Sequence, residues 1–151
     1  MMATHIAVDP GKSGAIVAIR HSGEIVSVDK MPQTESGVRD LFETIVRLSS
    51  PRSCYIEWVH SMPKQGVASS FKFGKGYGGV RMAAICNHLR IVDVTPRRWQ
   101  KALNCLTGGD KNITKDLAQK MFPRIKVTHA LADALLLAEY ARRCEIEMSI
   151  L

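Results

Sequence analysis

No apolar run in this chain approaches the roughly 20 residues that a membrane-spanning helix needs. The N-terminus also lacks a long apolar segment followed by a small-residue cleavage motif, so no secretion signal is expected. There is no CxxC pair. Cys54, Cys86, Cys105 and Cys144 are scattered, which speaks against a zinc site, and an intracellular chain does not favour disulfides. They are expected to be buried or incidental thiols. Internal repeats, low-complexity tracts and linker segments are missing as well. What these absences leave is a single domain over residues 1–151, with no membrane partner and a cytoplasmic location.

Enough is present to build one core. Hydrophobic residues make up 46% of the chain, and a charged fraction of 23% argues against global disorder. The net charge of +7 and a pI near 9.5 point towards polyanions, nucleic acids among them. A soluble protein with an ordinary basic surface would show the same balance.

Periodicity and punctuation predict the element order. His5–Asp9, Gly14–Ile19 and Glu24–Val28 read as three short strands joined by tight turns, an antiparallel meander. Ser36 is placed to cap a helix running to about Leu48, with Val38, Leu41, Phe42 and Ile45 on one face. Cys54–Trp58 reads as a fourth strand and Arg90–Val94 as a fifth. Between them Val67–Leu89 looks helical, although Gly74, Gly76, Gly78 and Gly79 each cost about 1 kcal/mol there. Close approach to a sheet, a partner chain or a nucleic acid could offset that cost. Thr95-Pro96 opens a short helix containing Trp99, Asp110–Met121 is a polar helix, and the last helix spans about His129–Cys144. Such an order fits an α/β fold with a mixed sheet flanked by helices.

Three acidic features stand out against this frame. Asp9 ends the first strand just before Pro10-Gly11, where burial without a partner would be costly. A turn-forming Asp-Pro-Gly explains it equally well. Glu57 interrupts the apolar Tyr55-Ile56 and Trp58-Val59, an expensive choice unless strand alternation turns it to water. His129 and Asp133 stack at i,i+4 on a helix that is otherwise almost wholly apolar. A capping His, with Asp133 paired to Arg142 or Arg143, is the alternative. Hard divalent cations need oxygen ligands, and Mg²⁺ commonly takes one or two carboxylates beside water or phosphate oxygens. Two carboxylates on adjacent strands, with an acid and a His from a crossing helix, would suit two-metal phosphodiester chemistry.

Taken in order, Ile6-Ala7-Val8-Asp9-Pro10-Gly11-Lys12-Ser13-Gly14, Tyr55-Ile56-Glu57, Val94-Thr95-Pro96 and Ala132-Asp133-Ala134-Leu135 resemble the RuvC family of Holliday junction resolvases. The resemblance runs from about Thr4 to Arg143. Short phage-type RuvC-like proteins also resemble Met62-Pro63-Lys64-Gln65-Gly66, Phe71-Lys72-Phe73-Gly74 and Met121-Phe122-Pro123. It implies an RNase H-like fold with a five-stranded mixed β-sheet, a homodimer, and paired nicking of four-way DNA junctions in a bacterial cell, with a phage-encoded source among the options. Carried over by position, Asp9, Glu57 and Asp133 become ligands for two Mg²⁺ ions, with Mn²⁺ a possible substitute. Bacterial RuvC often has a further acid three residues before the last one; here that position is Ala130. His129 instead resembles the phage-like and chloroplast pattern, as a ligand or a group that helps activate water. Lys111 matches a lysine that faces the scissile phosphate, where it would offset developing charge. The alternative is an ordinary solvated lysine.

Lys64, Lys72, Lys75, Arg81, Arg97, Arg98, Lys101 and Lys115, with Lys111, are candidates for phosphate contacts, or simply a solvated basic face. In the loop after the second acid, His60 or Met62 occupies the region from which RuvC wedges a residue into the junction. Phe71, Phe73 and Tyr77 fall at helical spacing and are expected in the core or a dimer contact.

Other classes fit less well. Gly11-Lys12-Ser13 resembles the end of a P-loop, but GxxxxGK[ST] requires glycine where Ile6 stands. RNase H-like folds also serve RNA:DNA hybrid nucleases, transposases and sugar-kinase-type ATPases, the last being two-domain proteins too long for this chain. A nuclease acting on flaps and forks, or a catalytically weak junction-binding module, remains the alternative.

Overall fold

The computed structural model describes residues 2–59 and 64–151. Strands β1 (Thr4–Asp9), β2 (Ala15–Arg20), β3 (Ile25–Lys30), β4 (Ser53–Glu57) and β5 (Arg90–Val94) form one sheet in the order β3-β2-β1-β4-β5. The first three strands pair antiparallel, as tight turns require, while β4 and β5 add in parallel through helical crossovers. The sheet is therefore mixed and five-stranded, as expected.

Alternation along each strand divides the core between the two sheet faces. Ile6, Val8, Ile16, Cys54 and Ile56 pack against α1 (Glu35–Ser49) and α2 (Val67–Cys86). On the opposite face, Ala7, Ala15, Val17 and Tyr55 meet Trp99 of α3 (Pro96–Ala102), Ala118 of α4 (Lys111–Met121) and the long α5 (His129–Ile150). Every residue of α5 from Ala134 to Ala141 is buried, because the sheet lies on one side and α4 packs on another. The small Ala7 and Ala15 side chains face that helix, where bulkier ones would hold it off the sheet.

Boundaries moved where capping or tertiary packing overruled the pattern. Thr34, not Ser36, caps α1, its hydroxyl accepting from the Gly37 N–H at 3.1 Å. β4 ends at Glu57, so Trp58 leaves the strand and is 45% exposed. α2 stops at Cys86 rather than near Leu89, and α5 continues past Cys144 to Ile150. Phe71 is 73% exposed and so is not in the core of this chain. Phe73 stacks on Tyr77 and lies against Gly11. None of the four α2 glycines has a described neighbour within 4 Å of where a Cβ would stand, so packing on the sheet is not their compensation. Cys54 and Cys105 are buried, Cys144 is half-buried and Cys86 exposed, all free. No helix among the described residues is long and apolar enough to cross a membrane.

One glycine ties the fold to the acid at the end of β1. A Cβ on Gly14 would stand 1.9 Å from the Asp9 carbonyl oxygen and 2.8 Å from its carbonyl carbon, both backbone atoms that cannot swing aside. Gly14→Ala is therefore expected to destabilise by at least the roughly 1–3 kcal/mol of ordinary overpacking, lowering Tm by roughly 5 °C in thermal melts. An unchanged Tm would show that the turn adjusts freely.

Candidate active site

Register brings the first two acids together. Val8 lies opposite Ile56 in the parallel β1–β4 pair, so Asp9 and Glu57, one residue further along each strand, stand side by side at the carboxyl end of the sheet. Both point to the α5 face, two residues on from Ala7 and Tyr55, which pack there. Asp133 reaches the same place from the first turns of α5. Its charge acts on Asp9 and on Glu57 alike.

The three carboxyls are a poorly compensated group. Burial, then the charges of Glu57 and Asp133, pushes the Asp9 carboxyl up to about 8, with Lys111 pulling the other way. Burial likewise raises Glu57 to about 7 against a hydrogen bond from Trp99, and Asp133 adds to the rise. Asp133 is itself raised by burial, against a hydrogen bond from Thr114 and the charges of Lys111 and His129. No arginine or lysine forms an ion pair with any of the three among the described residues.

Local sequence explains how each partner arrives. Thr95 caps α3 and Pro96 sits at its first position, so the helix starts directly after β5 and turns Trp99 inward. The fully buried Trp99 Nε1–H donates to Glu57 Oε2 at 2.8 Å. Asp110 caps α4, its carboxylate accepting from the Asn112 N–H at 2.9 Å, which places exposed Lys111 at the mouth of the acid group and buried Thr114 one turn deeper. His129 is exposed at the start of α5, one turn before Asp133. Arg142 and Arg143, the other conceivable partners of Asp133, bind Glu139 instead. Ala130 is only half-buried and adds no donor.

Asp9, Glu57, Asp133, Lys111 and His129 are thus brought to one end of the sheet. Sequence reasoning passed over Trp99 as more than a helix residue and did not consider Thr114. A lone tryptophan inside the polar run Arg97-Arg98-Trp99-Gln100-Lys101 signals an inward face, but nothing in the run says that its N–H meets Glu57. No group of three His, Cys, Asp or Glu side chains among the described residues is close enough to hold a metal ion as it stands. The donor chemistry nevertheless suits a hard cation: three carboxyl groups offer oxygen donors, and a cation would favour their ionised forms, which burial and mutual repulsion disfavour.

The candidate phosphate contacts divide between the two sheet faces. Arg97, Arg98 and Lys101 lie on α3, and Lys115 on α4, beside the acids; all but the half-buried Lys115 are exposed. Lys72, Lys75 and Arg81 belong to α2, on the other face, and Lys64 precedes that helix. Lys75 pairs with Glu35 at 2.8 Å and Arg81 with Asp93 at 2.5 Å, so both are already partly neutralised. A cavity of ≈ 640 Å³ lined by Gly11, Lys12, Lys72 and Lys75, among others, joins α2 to the turn that follows Asp9. His60 and Met62 lie outside the described residues.

Raised carboxyls give stability a definite pH slope. The folded protein binds more protons than the unfolded chain between the ordinary carboxylate range near pH 4 and the folded values of about 7 for Glu57 and about 8 for Asp9. The contribution of these two groups to stability is therefore fully present below that range and lost as pH rises through it. In EDTA, Tm should fall by roughly 5 °C or more from about pH 5.5 to about pH 8.5, and Asp9→Asn should flatten the fall. A wild-type Tm that rises over this interval would contradict the assignment.

No protein-family model matches the chain, and no curated protein matches it. Solved structures do. A Thermus thermophilus RuvC structure matches with a TM-score of 0.64 at 19% identity, covering 95% of this chain and 96% of that one. T. thermophilus RuvC in complex with a Holliday junction substrate matches with a TM-score of 0.67 at 16% identity, over 95% and 96% of the two chains. A crystal structure of the yeast mitochondrial Holliday junction resolvase gives 0.58 at 13% identity, over 98% and 81%. At these identities the likeness is one of fold: the chain has the RNase H-like architecture of the RuvC structures over nearly its whole length.

Proposed function

We propose that the chain is a metal-dependent, structure-selective DNA endonuclease that resolves four-way junctions by paired, symmetric nicks. The observation carrying this reading is the convergence of Asp9, Glu57 and Asp133, which act on one another electrostatically and have no ion-pair partner among the described residues, at the carboxyl end of a resolvase-like sheet. The resemblance of the ordered motifs to the RuvC family supports it independently. All 151 residues serve one nuclease domain, and a homodimer would match the near two-fold symmetry of the junction.

Asp9, Glu57 and Asp133 would hold Mg²⁺, two ions in the full complement, with His129 as a further donor and Mn²⁺ as an alternative ion. When bound, the metal would polarise the scissile phosphate and lower the pKa of water. The chain's own groups do the rest. Lys111 would face the charge that builds on the phosphoryl oxygens, a role supported by its Coulombic effect on Asp9 and Asp133. His129, open to solvent at the rim, can accept the proton that the attacking water releases. Hydrolysis leaves 5′-phosphate and 3′-hydroxyl ends. Arg97, Arg98, Lys101 and Lys115 hold the backbone beside the acids, Lys64 and Lys72 hold it near α2, and His60 or Met62 enters the branch point.

The second reading is a catalytically weak junction-binding module. Ala130, where bacterial RuvC often has an acid, favours it. A labelled mobile four-way junction, with a linear duplex, a Y-fork and an RNA:DNA hybrid beside it, separates the two. Symmetric nicks that require Mg²⁺ and vanish in EDTA are expected on the junction. Equal cutting of forks would widen the substrate to branched DNA, and tight binding without cutting would favour the module.

Asp9→Asn is expected to reduce cleavage by at least about 1,000-fold, the scale of losing a principal transition-state contact, while junction affinity changes little. Wild-type cutting by that variant would remove Asp9 from the site. Binding should weaken steeply with salt as counterions are released, and Arg97→Ala with Lys101→Ala should reduce the slope by roughly 2 in a log–log plot.

A further inference from the structure

The bond between Trp99 and Glu57 has a consequence for which cation the site accepts. An indole carries one N–H and no acceptor, so the polar capacity of Trp99 is fully engaged by Glu57 Oε2 at 2.8 Å. The ring is fully buried and packed in the core between sheet and α5, and its helix is fixed by Thr95 at the cap and Pro96 at the first position. It cannot swing aside without opening that core. Glu57 makes no second side-chain hydrogen bond among the described residues, so Oε1 is the oxygen left to turn towards Asp9 and Asp133.

We propose that Trp99 is a positioning residue that occupies one oxygen of Glu57, allows it to ligate through the other alone, and so biases the site towards Mg²⁺ over Ca²⁺. The inference rests on the metal-site reading above. Its physical basis is the difference between the ions. Mg²⁺ demands tight octahedral geometry at about 2.0–2.1 Å and takes few carboxylate oxygens, whereas Ca²⁺ at about 2.3–2.6 Å readily takes both oxygens of one carboxylate. A carboxylate pinned at one oxygen suits the first ion and handicaps the second. Partners that orient a ligand in this way commonly change metal affinity by about 10–100-fold when removed.

The test compares wild type with two variants: Trp99→Phe, and Trp99 replaced by benzothienylalanine, which keeps the ring shape but exchanges the N–H for sulfur. Dissociation constants for Mg²⁺ and for Ca²⁺ are measured by calorimetry without DNA, and metal-free melts check that each variant folds. In the benzothienyl variant, Mg²⁺ affinity should fall by about 10-fold or more while Ca²⁺ affinity holds or rises, so that the Mg²⁺/Ca²⁺ preference drops at least about 10-fold. Equal losses for both ions, or no change for either, in a variant that melts like wild type would overturn the positioning role. Failure of the wild-type protein to bind either ion would overturn the metal site itself, and this inference with it. Trp99→Phe alone failing to fold would leave the isosteric variant to decide.

Discussion

The parallel pairing of β1 with β4 is the constraint on which the rest of the site depends. Its register, with Val8 opposite Ile56, places Asp9 beside Glu57 at the same strand ends and on the same face. A slip of one residue would send one of the two acids to the α1–α2 face, into a cluster built from Ile6, Val8, Ile16 and Ile56. The flanking apolar residues specify the register and thereby hold together two like charges that would otherwise separate. Burial and mutual repulsion then raise both carboxyls, to about 8 for Asp9 and about 7 for Glu57.

Acids elsewhere on the same helix show that this lack of compensation is local. Glu139 is pushed up by burial, but bonds from Arg142 and Arg143 bring it below the ordinary range. Glu145 is treated the same way: Tyr55 donates to it at 2.8 Å, Arg90 pairs with it, and the balance again falls below normal. Those two acids anchor the far half of α5 to the sheet edge and to its own turns. Asp133, about two turns before Glu139 and about three before Glu145, has among the described residues a threonine hydroxyl and the charges of Lys111 and His129 but no ion pair. One helix therefore carries structural carboxylates with dedicated partners and a carboxylate left to the site.

How much of this was legible beforehand varies with the kind of information required. Each strand was apparent because apolar alternation and Gly or Pro punctuation act over a few residues, and Asp9 and Glu57 stood out because each breaks such a run. The i,i+4 geometry of His129 and Asp133 was equally local. Helix ends shifted because capping competes between near neighbours: Thr34, two residues before the expected Ser36, accepts from the N–H of Gly37 and starts the helix earlier. The exposure of Phe71, the pairing of Lys75 with Glu35 and that of Arg81 with Asp93 on β5 depend on which elements lie side by side, which spacing along one segment does not encode.

The sequence by itself determined the inventory: five strands, the helices that cross between them, three acids in apolar settings and a surplus of positive charge. These follow from propensity, periodicity and composition, which are properties of short windows. Only the tertiary structure decided that Asp9 and Glu57 share a face, that Asp133 approaches them while Arg142 and Arg143 turn to Glu139, and that Trp99 and Thr114 supply the hydrogen bonds inside the group. A contact such as Glu57–Trp99, 42 positions apart in the chain, is fixed by strand order and helix packing, and no local pattern carries that information.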